Sequence, residues 1–343
     1  MKALYFECFS GISGNMTLGA LLDLGIVSQE YLLSELAKLK VDGYKIEIKK
    51  DQKNAIGATH VDVILEHPEH PDVPHHHEHH EDRELTHEEM HKLNLPHDGD
   101  KHYHLSDLTH EQIHELGLPH HHEHHEDREL THEEMHILNL PHDGDKHYHL
   151  SDLTHEQIHQ LGVPHGHHHD QRNLYMIEKI IDDSEISEGA KALAKKIFMR
   201  VALAESKVHQ ETLENVHFHE VGAVDSIVDI IGTAILIDAI KPDVIYSSVV
   251  HDGYGFIHCA HGMIPVPVPA TSEILAARGA TLKQIDIDTE LVTPTGAAII
   301  SELATSFGLM PEMKIEKLGW GSGTKNLKIP NILRVCYGEV ARK

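Results

Sequence analysis

Two rhythms of apolar residues alternate along this chain, and a long central stretch follows neither. Ala3 to Cys8 is an apolar run of strand length. Helical spacing follows to about Leu24 and again from Gln29 to Leu39, and alternation around Tyr44 to Lys49 and His60 to Leu65 predicts two strands. Beyond the central stretch, Leu174 to Ile181 and Glu188 to Val208 have the spacing of two amphipathic helices that pack into a core, and a strongly apolar helix runs on towards Ile240. Pro265, Pro267 and Pro269 form a stiff extended lead into a helix from Thr271, and Thr293 with Pro294 reads as N-cap and first position of another. Gly319 to Gly323 reads as a glycine-rich loop before a closing strand. Strands are expected near residues 2 to 8, 44 to 49, 60 to 66, 244 to 250, 255 to 259 and 331 to 338, which makes an α/β fold: a mixed sheet or sheets covered by helices.

The central stretch divides the chain into segments 1–67, 68–170 and 171–343. Residues His75 to Pro119 recur almost letter for letter from His120 to Pro164, a tandem duplication with an offset of 45 residues. Within it a shorter phrase occurs four times, each with Thr followed three residues later by Glu or Gln, the capping-box pattern of a helix start. Each phrase also sets two histidines four apart, His87/His91, His110/His114, His132/His136 and His155/His159, so that both imidazoles share a helical face and can clamp a divalent ion. Of 37 histidines, 28 lie between His75 and His169, interleaved with carboxylates. Imidazole suits nickel, zinc or copper, and it releases metal when protonated below about pH 6. With few large apolar residues to bury, the block is expected to be a disordered metal reservoir rather than a packed domain; the bland alternative is a solvated insertion without selected chemistry.

Composition narrows the class. The formal charge is −26, of which residues 68 to 170 supply −19, from 24 Asp and Glu against 5 Lys and Arg. No basic stripe exists to neutralise phosphates, so a nucleic-acid partner is excluded. Apolar runs in the flanks fall short of the roughly 18 to 20 residues of a membrane span, and the N-terminus lacks a signal-peptide pattern, so no membrane partner and a cytoplasmic location are expected. The three cysteines, Cys8, Cys259 and Cys336, are odd in number and widely spaced, as suits reduced thiols.

Candidate chemistry lies in four phrases. Ser10-Gly11-Ile12-Ser13-Gly14-Asn15, between a strand and a helix, has the form of an anion cradle, with a tight structural turn as the alternative; it is neither a Walker motif nor a dinucleotide fingerprint. Next, His217, His219, Glu220, Asp225 and Asp229 crowd the approach to the apolar helix. His217 and His219 would point to one side of an extended segment, and Asp225 and Asp229 would share a helix face, enough to hold a cation or to serve as acid and base beside a phosphate. Cys259 and His261 would share a strand face with His258 opposite, soft donors that favour Ni, Cu or Zn, although buried Cys is also ordinary core. The helix start around Thr293 and Thr295 is a second anion-binding candidate.

Taken together, the phrases from Phe9 to Leu24, Val216 to Asp229, His258 to Ala270 and Leu291 to Ala298 resemble the LarC family, nickel insertases of nickel-pincer cofactor biosynthesis. The resemblance covers the whole chain except the histidine block. It implies a chelatase of the lyase class that inserts Ni²⁺ between the two sulfur atoms and ring carbon of a pyridinium bis-thiocarboxylate mononucleotide, consuming CTP with Mg²⁺ or Mn²⁺. The finished cofactor serves lactate racemase and related enzymes. On this reading Ser10, Gly11, Ser13, Gly14, Asn15, Thr293 and Thr295 hold phosphate or pyridinium, and His217, His219, Glu220 and Asp225 are catalytic. Nickel ligands come from Cys8, His217, His219, Asp229, Cys259 and His261. The family pattern has Asp where this chain has Glu7 and Asn15, which weakens a carboxylate role there. Members usually continue into a C-terminal CTP-binding domain, so action with such a domain or a companion chain is expected; a homo-oligomer is left open. The competing functions are nickel storage or delivery without turnover, and a metal-dependent phosphohydrolase built on the His-x-His-Glu cluster.

Overall fold

The computed structural model describes residues 1–65, 173–213, 216, 218, 223–259 and 262–341. Two units emerge from its contacts, Met1–His67 with His169–Lys343, and Pro68–His168. Only the first is described below.

Seven strands form its main sheet. In chain order the elements that matter are β1 (Lys2–Glu7), α1 (Gly14–Asp23), α2 (Gln29–Leu36), β2 (Tyr44–Lys53), β3 (Ile56–Leu65), α3 (Leu174–Asp183), α4 (Glu188–His209) and α5 (Val224–Ile240). Then come β4 (Val244–Ser247), β5 (Val250–Asp252), β6 (Phe256–Cys259), β7 (Gly262–Pro265), α6 (Pro269–Arg278), β8 (Leu282–Gln284) and α7 (Pro294–Leu303). The last three are β9 (Ser306–Phe307), β10 (Met313–Ser322) and β11 (Ile332–Val340). The sheet order is β2-β3-β10-β11-β1-β4-β9, with β5-β8 and β6-β7 as separate pairs. β1 runs parallel to β4 and antiparallel to β11, so the sheet is mixed, as expected.

Helix packing explains the register. Leu4, Phe6 and Cys8 are fully buried and join the core beneath the helices together with Val335 and Leu333. α5 is apolar on nearly every side, and Ile227, Val228, Ile230, Ile231, Ala234 and Leu236 are completely buried, as a helix surrounded by other elements must be. α1 lies directly on β10. A Cβ added at Gly321 would sit 1.9 Å from the Met16 carbonyl oxygen, and one at Gly319 2.0 Å from that of Ala20. These glycines therefore form part of a strand, where a side chain would push the helix off the sheet, and not the loop expected from their spacing.

Two further expectations are corrected. The strand expected over 244–250 is two: the chain leaves the main sheet after Ser247, and β5 pairs with β8 instead. The helix expected from Thr271 begins at Pro269, because proline at the first helical position loses no hydrogen bond. Among the described residues no helix is long and apolar enough to cross a membrane.

Candidate functional site

Three helix starts, distant in sequence, meet at one edge of the core. α1 begins after Ser13, whose backbone is extended but whose side chain does not cap the helix. Its hydroxyl donates to Asn15 Oδ1 at 2.5 Å, and the same oxygen accepts the Met16 N–H at 2.8 Å. The backbone N–H of Asn15 is directed at the carboxylate of Asp229 on α5. Gly14 makes this approach feasible, since a Cβ there would lie 2.3 Å from Asp229 Oδ2. A carboxylate from α5 thus occupies the positive end of α1, where helix-terminal N–H groups favour negative charge.

α7 reaches the same place from the other side. Thr293 caps it, with Oγ1 accepting the Gly296 N–H at 3.1 Å. Gly296 lets the helix rest on the first loop, for a Cβ there would come within 2.1 Å of the Ile12 carbonyl oxygen. Ile12 donates to Leu291 O at 3.0 Å and accepts from Thr293 N at 3.2 Å, so the two loops pair like short strands. Gly11, at φ +86, turns the chain against Leu291, where any side chain would collide with backbone. α5 adds Asp225 and Ser226 from its first turn, and Thr295 Oγ1 lies 3.5 Å from Ser226 Oγ.

Buried carboxylates control the electrostatics. Asp229 is partly buried as a residue, but its Oδ1 is sealed from solvent and has no partner among the described residues. Burial, reinforced by the Asp225 charge, pushes its carboxyl well above the usual range against the opposing Asn15 N–H. Thr233 Oγ1, one turn further along α5, is likewise buried and unpartnered among the described residues. Asp252 is fully buried and accepts three backbone N–H groups at Oδ1, from Gly253 at 2.8 Å, Leu291 at 2.8 Å and Val292 at 3.1 Å. Burial raises its pKa while those N–H groups oppose the rise. Asp252 thereby fixes the segment that leads into α7.

The expected site residues divide into groups. Ser13, Gly14, Asn15, Asp225, Asp229, Thr293 and Thr295 are brought to the meeting of the helix starts. Ser10 is fully buried beside it and spends its hydroxyl on β11, donating to Ile332 O at 2.8 Å and accepting from Ile332 N at 3.2 Å. Cys8 is fully buried, its sulfur 3.8 Å from Ser247 Oγ, and burial pushes its thiol up to about 12. Cys336 is raised to about 11 by the same cause. Cys259 stands on the β6-β7 hairpin, half-buried, with His258 exposed on the opposite face. His217, His219, Glu220 and His261 lie outside the described residues, as do His87, His91, His110, His114, His132, His136, His155 and His159. Among the described residues no three His, Cys, Asp or Glu side chains assemble as a metal site.

Sequence reasoning passed over Asp252, Ser226 and Lys325. Ser226 lies inside the 216–229 phrase but carries no signal of its own, and nothing local marks Asp252 or Lys325, since each acts on a segment more than 30 residues away, as in Asp252 to Leu291, 39 apart.

The convergence places oxygen donors and helix N-termini together, an environment for anions and hard cations, while the accessible sulfur stands on a separate hairpin. A profile of the nickel insertion protein family matches residues 4–343, and the chain belongs to that family. It is 39% identical over 343 residues to a pyridinium-3,5-bisthiocarboxylic acid mononucleotide nickel insertion protein of Acetivibrio thermocellus, covering 100% of this chain and 62% of that protein. Proteins of the same name from Clostridium acetobutylicum and Clostridium kluyveri are 41% and 36% identical, with 64% and 63% of their lengths covered. The chain thus spans somewhat over three-fifths of the length of these curated relatives. No solved structure matches it.

Proposed function

We propose that this chain is the metal-handling part of a nickel insertase that loads pyridinium-3,5-bisthiocarboxylic acid mononucleotide. The observation that carries this reading is the family match over residues 4–343, joined to relatives whose names state that substrate. The meeting of helix starts supports it in physical terms. CTP brings a triphosphate with its divalent cation, and the floor of Ser13, Asn15, Asp225, Ser226 and Thr295 offers hydroxyl, amide and carboxylate groups to that pair. Asp225, exposed in the first turn of α5, is an oxygen donor of the kind Mg²⁺ or Mn²⁺ prefers when it accompanies a nucleotide, whereas the buried Asp229 carboxylate, held at the start of α1 with its pKa raised, is a poor one. Nickel is cargo, and borderline donors such as Cys259 and the histidines of the 217–220 and 258–261 phrases suit it. Cys8, kept as a thiol by its burial, is a poor ligand candidate. In this reading CTP drives the reaction with a C-terminal domain or companion chain, and the product passes to a racemase of the lactate racemase type.

The test is incubation with nickel, the sulfur-bearing mononucleotide and CTP, with and without the remaining portion found in the longer relatives, followed by mass spectrometry of the nucleotide. Loaded nucleotide in the complete mixture is expected. The second reading, storage or delivery, is favoured by the 28 histidines between His75 and His169. It requires several bound nickel ions and an unaltered nucleotide under both conditions.

A further inference from the structure

The loop between β10 and β11 builds a charged feature that the site above does not use. Residues 323–331 are held on several sides: Gly323 N donates to Asn331 O at 3.0 Å, Asn331 Nδ2 to Lys325 O at 3.0 Å, and the buried Lys53 ammonium to Thr324 O at 3.3 Å and Asn326 Oδ1 at 3.1 Å. From this fixed loop Lys325 reaches across to the segment before α7, donating to Thr289 Oγ1 and Glu290 O, each at 3.0 Å. Between the 287–289 and 325–328 segments lies an open cleft of about 630 Å³.

Lys325 is unusual in its company. Most ordered lysines of this unit pair with a carboxylate, as Lys328 does with Asp286 at 2.9 Å. Lys317 and Arg278 also donate to backbone carbonyls, but those end α1 and α7, where the helix dipole attracts a cation. Lys325 instead holds the segment that precedes α7, at no helix C-terminus, and both its acceptors are neutral. Of the nearby carboxylates, Asp286 pairs with Lys328, while Asp288 lines the cleft with its Oδ1 turned towards Gly255. Asp252 feels the Lys325 charge only from behind Leu291, in the interior. One N–H of the Lys325 ammonium is left to donate, and so is the Asn326 amide nitrogen, because Asn326 Oδ1 faces Lys53. A positioned cation with spare donors over an open cleft of this size describes an anion seat.

We propose that this cleft binds a phosphate monoester through Lys325, with Asn326 as an auxiliary donor, and that its natural occupant is the phosphate of the mononucleotide substrate. The anion site stands on the geometry; the identity of its occupant rests on the nickel-insertion reading. Calorimetry on the full chain would use inorganic phosphate, nicotinic acid mononucleotide as a pyridinium mononucleotide, and its dephosphorylated nucleoside. Lys325→Ala is expected to weaken both phosphate-bearing probes by about tenfold or more, Lys325→Arg by less, and Lys45→Ala on the distant β2 not at all. Lys325→Gln, which keeps the length of the side chain, serves as the second neutral variant should alanine disturb the loop. Unchanged affinity in both neutral variants overturns the site. Lys325-dependent binding of phosphate, with the mononucleotide no tighter than phosphate alone, upholds the anion site and overturns the mononucleotide as its occupant, while the nickel-insertion reading is decided separately by the loading of the nucleotide.

Discussion

At the scale of residues, burial decides what the titratable groups can do. Asp229 has its pKa raised by burial and by Asp225, so in the folded protein it binds its proton more tightly than in the unfolded chain. Its favourable contribution to stability is therefore complete below the unfolded value of about 3.9 and is lost as pH rises through the folded-state value. Asp229→Asn removes that loss. The melting temperature of the variant relative to the parent is expected to climb as pH rises above about 4, measured by scanning calorimetry, and a difference that stays flat contradicts the burial of this carboxylate. The thiols give a second check. Cys8 and Cys336 are buried with raised pKa values, whereas Cys259 stands half-buried on a hairpin. Titration of the native chain with a thiol reagent should label Cys259 first, leaving the other two until denaturant is added.

At the scale of elements, close helix packing on glycine is the feature most open to test. Gly321→Ala would place a Cβ 1.9 Å from a backbone carbonyl of α1, which cannot rotate away as a side chain could. A loss of about 1–3 kcal/mol is expected in chemical denaturation, typical of overpacking. The same position shows why part of the fold was hidden in the sequence. Glycines at 319 and 321 look like part of a loop because the helix they accommodate is far away in the chain, at Met16 and Ala20, whereas Gly323 does lie beyond the end of the strand. By contrast β1, β11 and α5 were legible, since apolar run length and periodicity are local signals. The candidate site was legible in its residue types at Ser13, Asn15, Asp225, Asp229 and Thr293. Its assembly was not, because the Ile12 and Val292 bridge, the Ser10 link to Ile332 and the Asp252 clamp all join distant segments. That Asp229 fills the start of α1 could not be inferred from a phrase that, read alone, offers an empty anion cradle.

For the whole molecule, the histidine block and the folded unit have separable tasks in the proposed function. Residues 1–67 and 169–343 make one unit through their own contacts, with β3 ending at Leu65 and α3 starting at Leu174. Replacing residues 68–168 by a short Gly/Ser linker is therefore expected to leave the melting of that unit in place. The number of nickel ions bound at neutral pH should fall sharply, as followed by equilibrium dialysis. In the parent chain most bound nickel should be released as the histidines protonate below about pH 6. A linker variant that binds as much nickel as the parent would remove the reservoir role.

Whether metal held by this chain moves onto a nucleotide is the question on which the functional reading turns. The direct measurement is a single-turnover chase: the chain is loaded with radioactive nickel, freed of excess metal, and mixed with the sulfur-bearing mononucleotide, CTP, Mg²⁺ and the remaining portion of the longer relatives. Label that leaves the protein and co-elutes with the nucleotide is the expected result. Label that stays on the protein, while the nucleotide is bound but chemically unchanged, would contradict it.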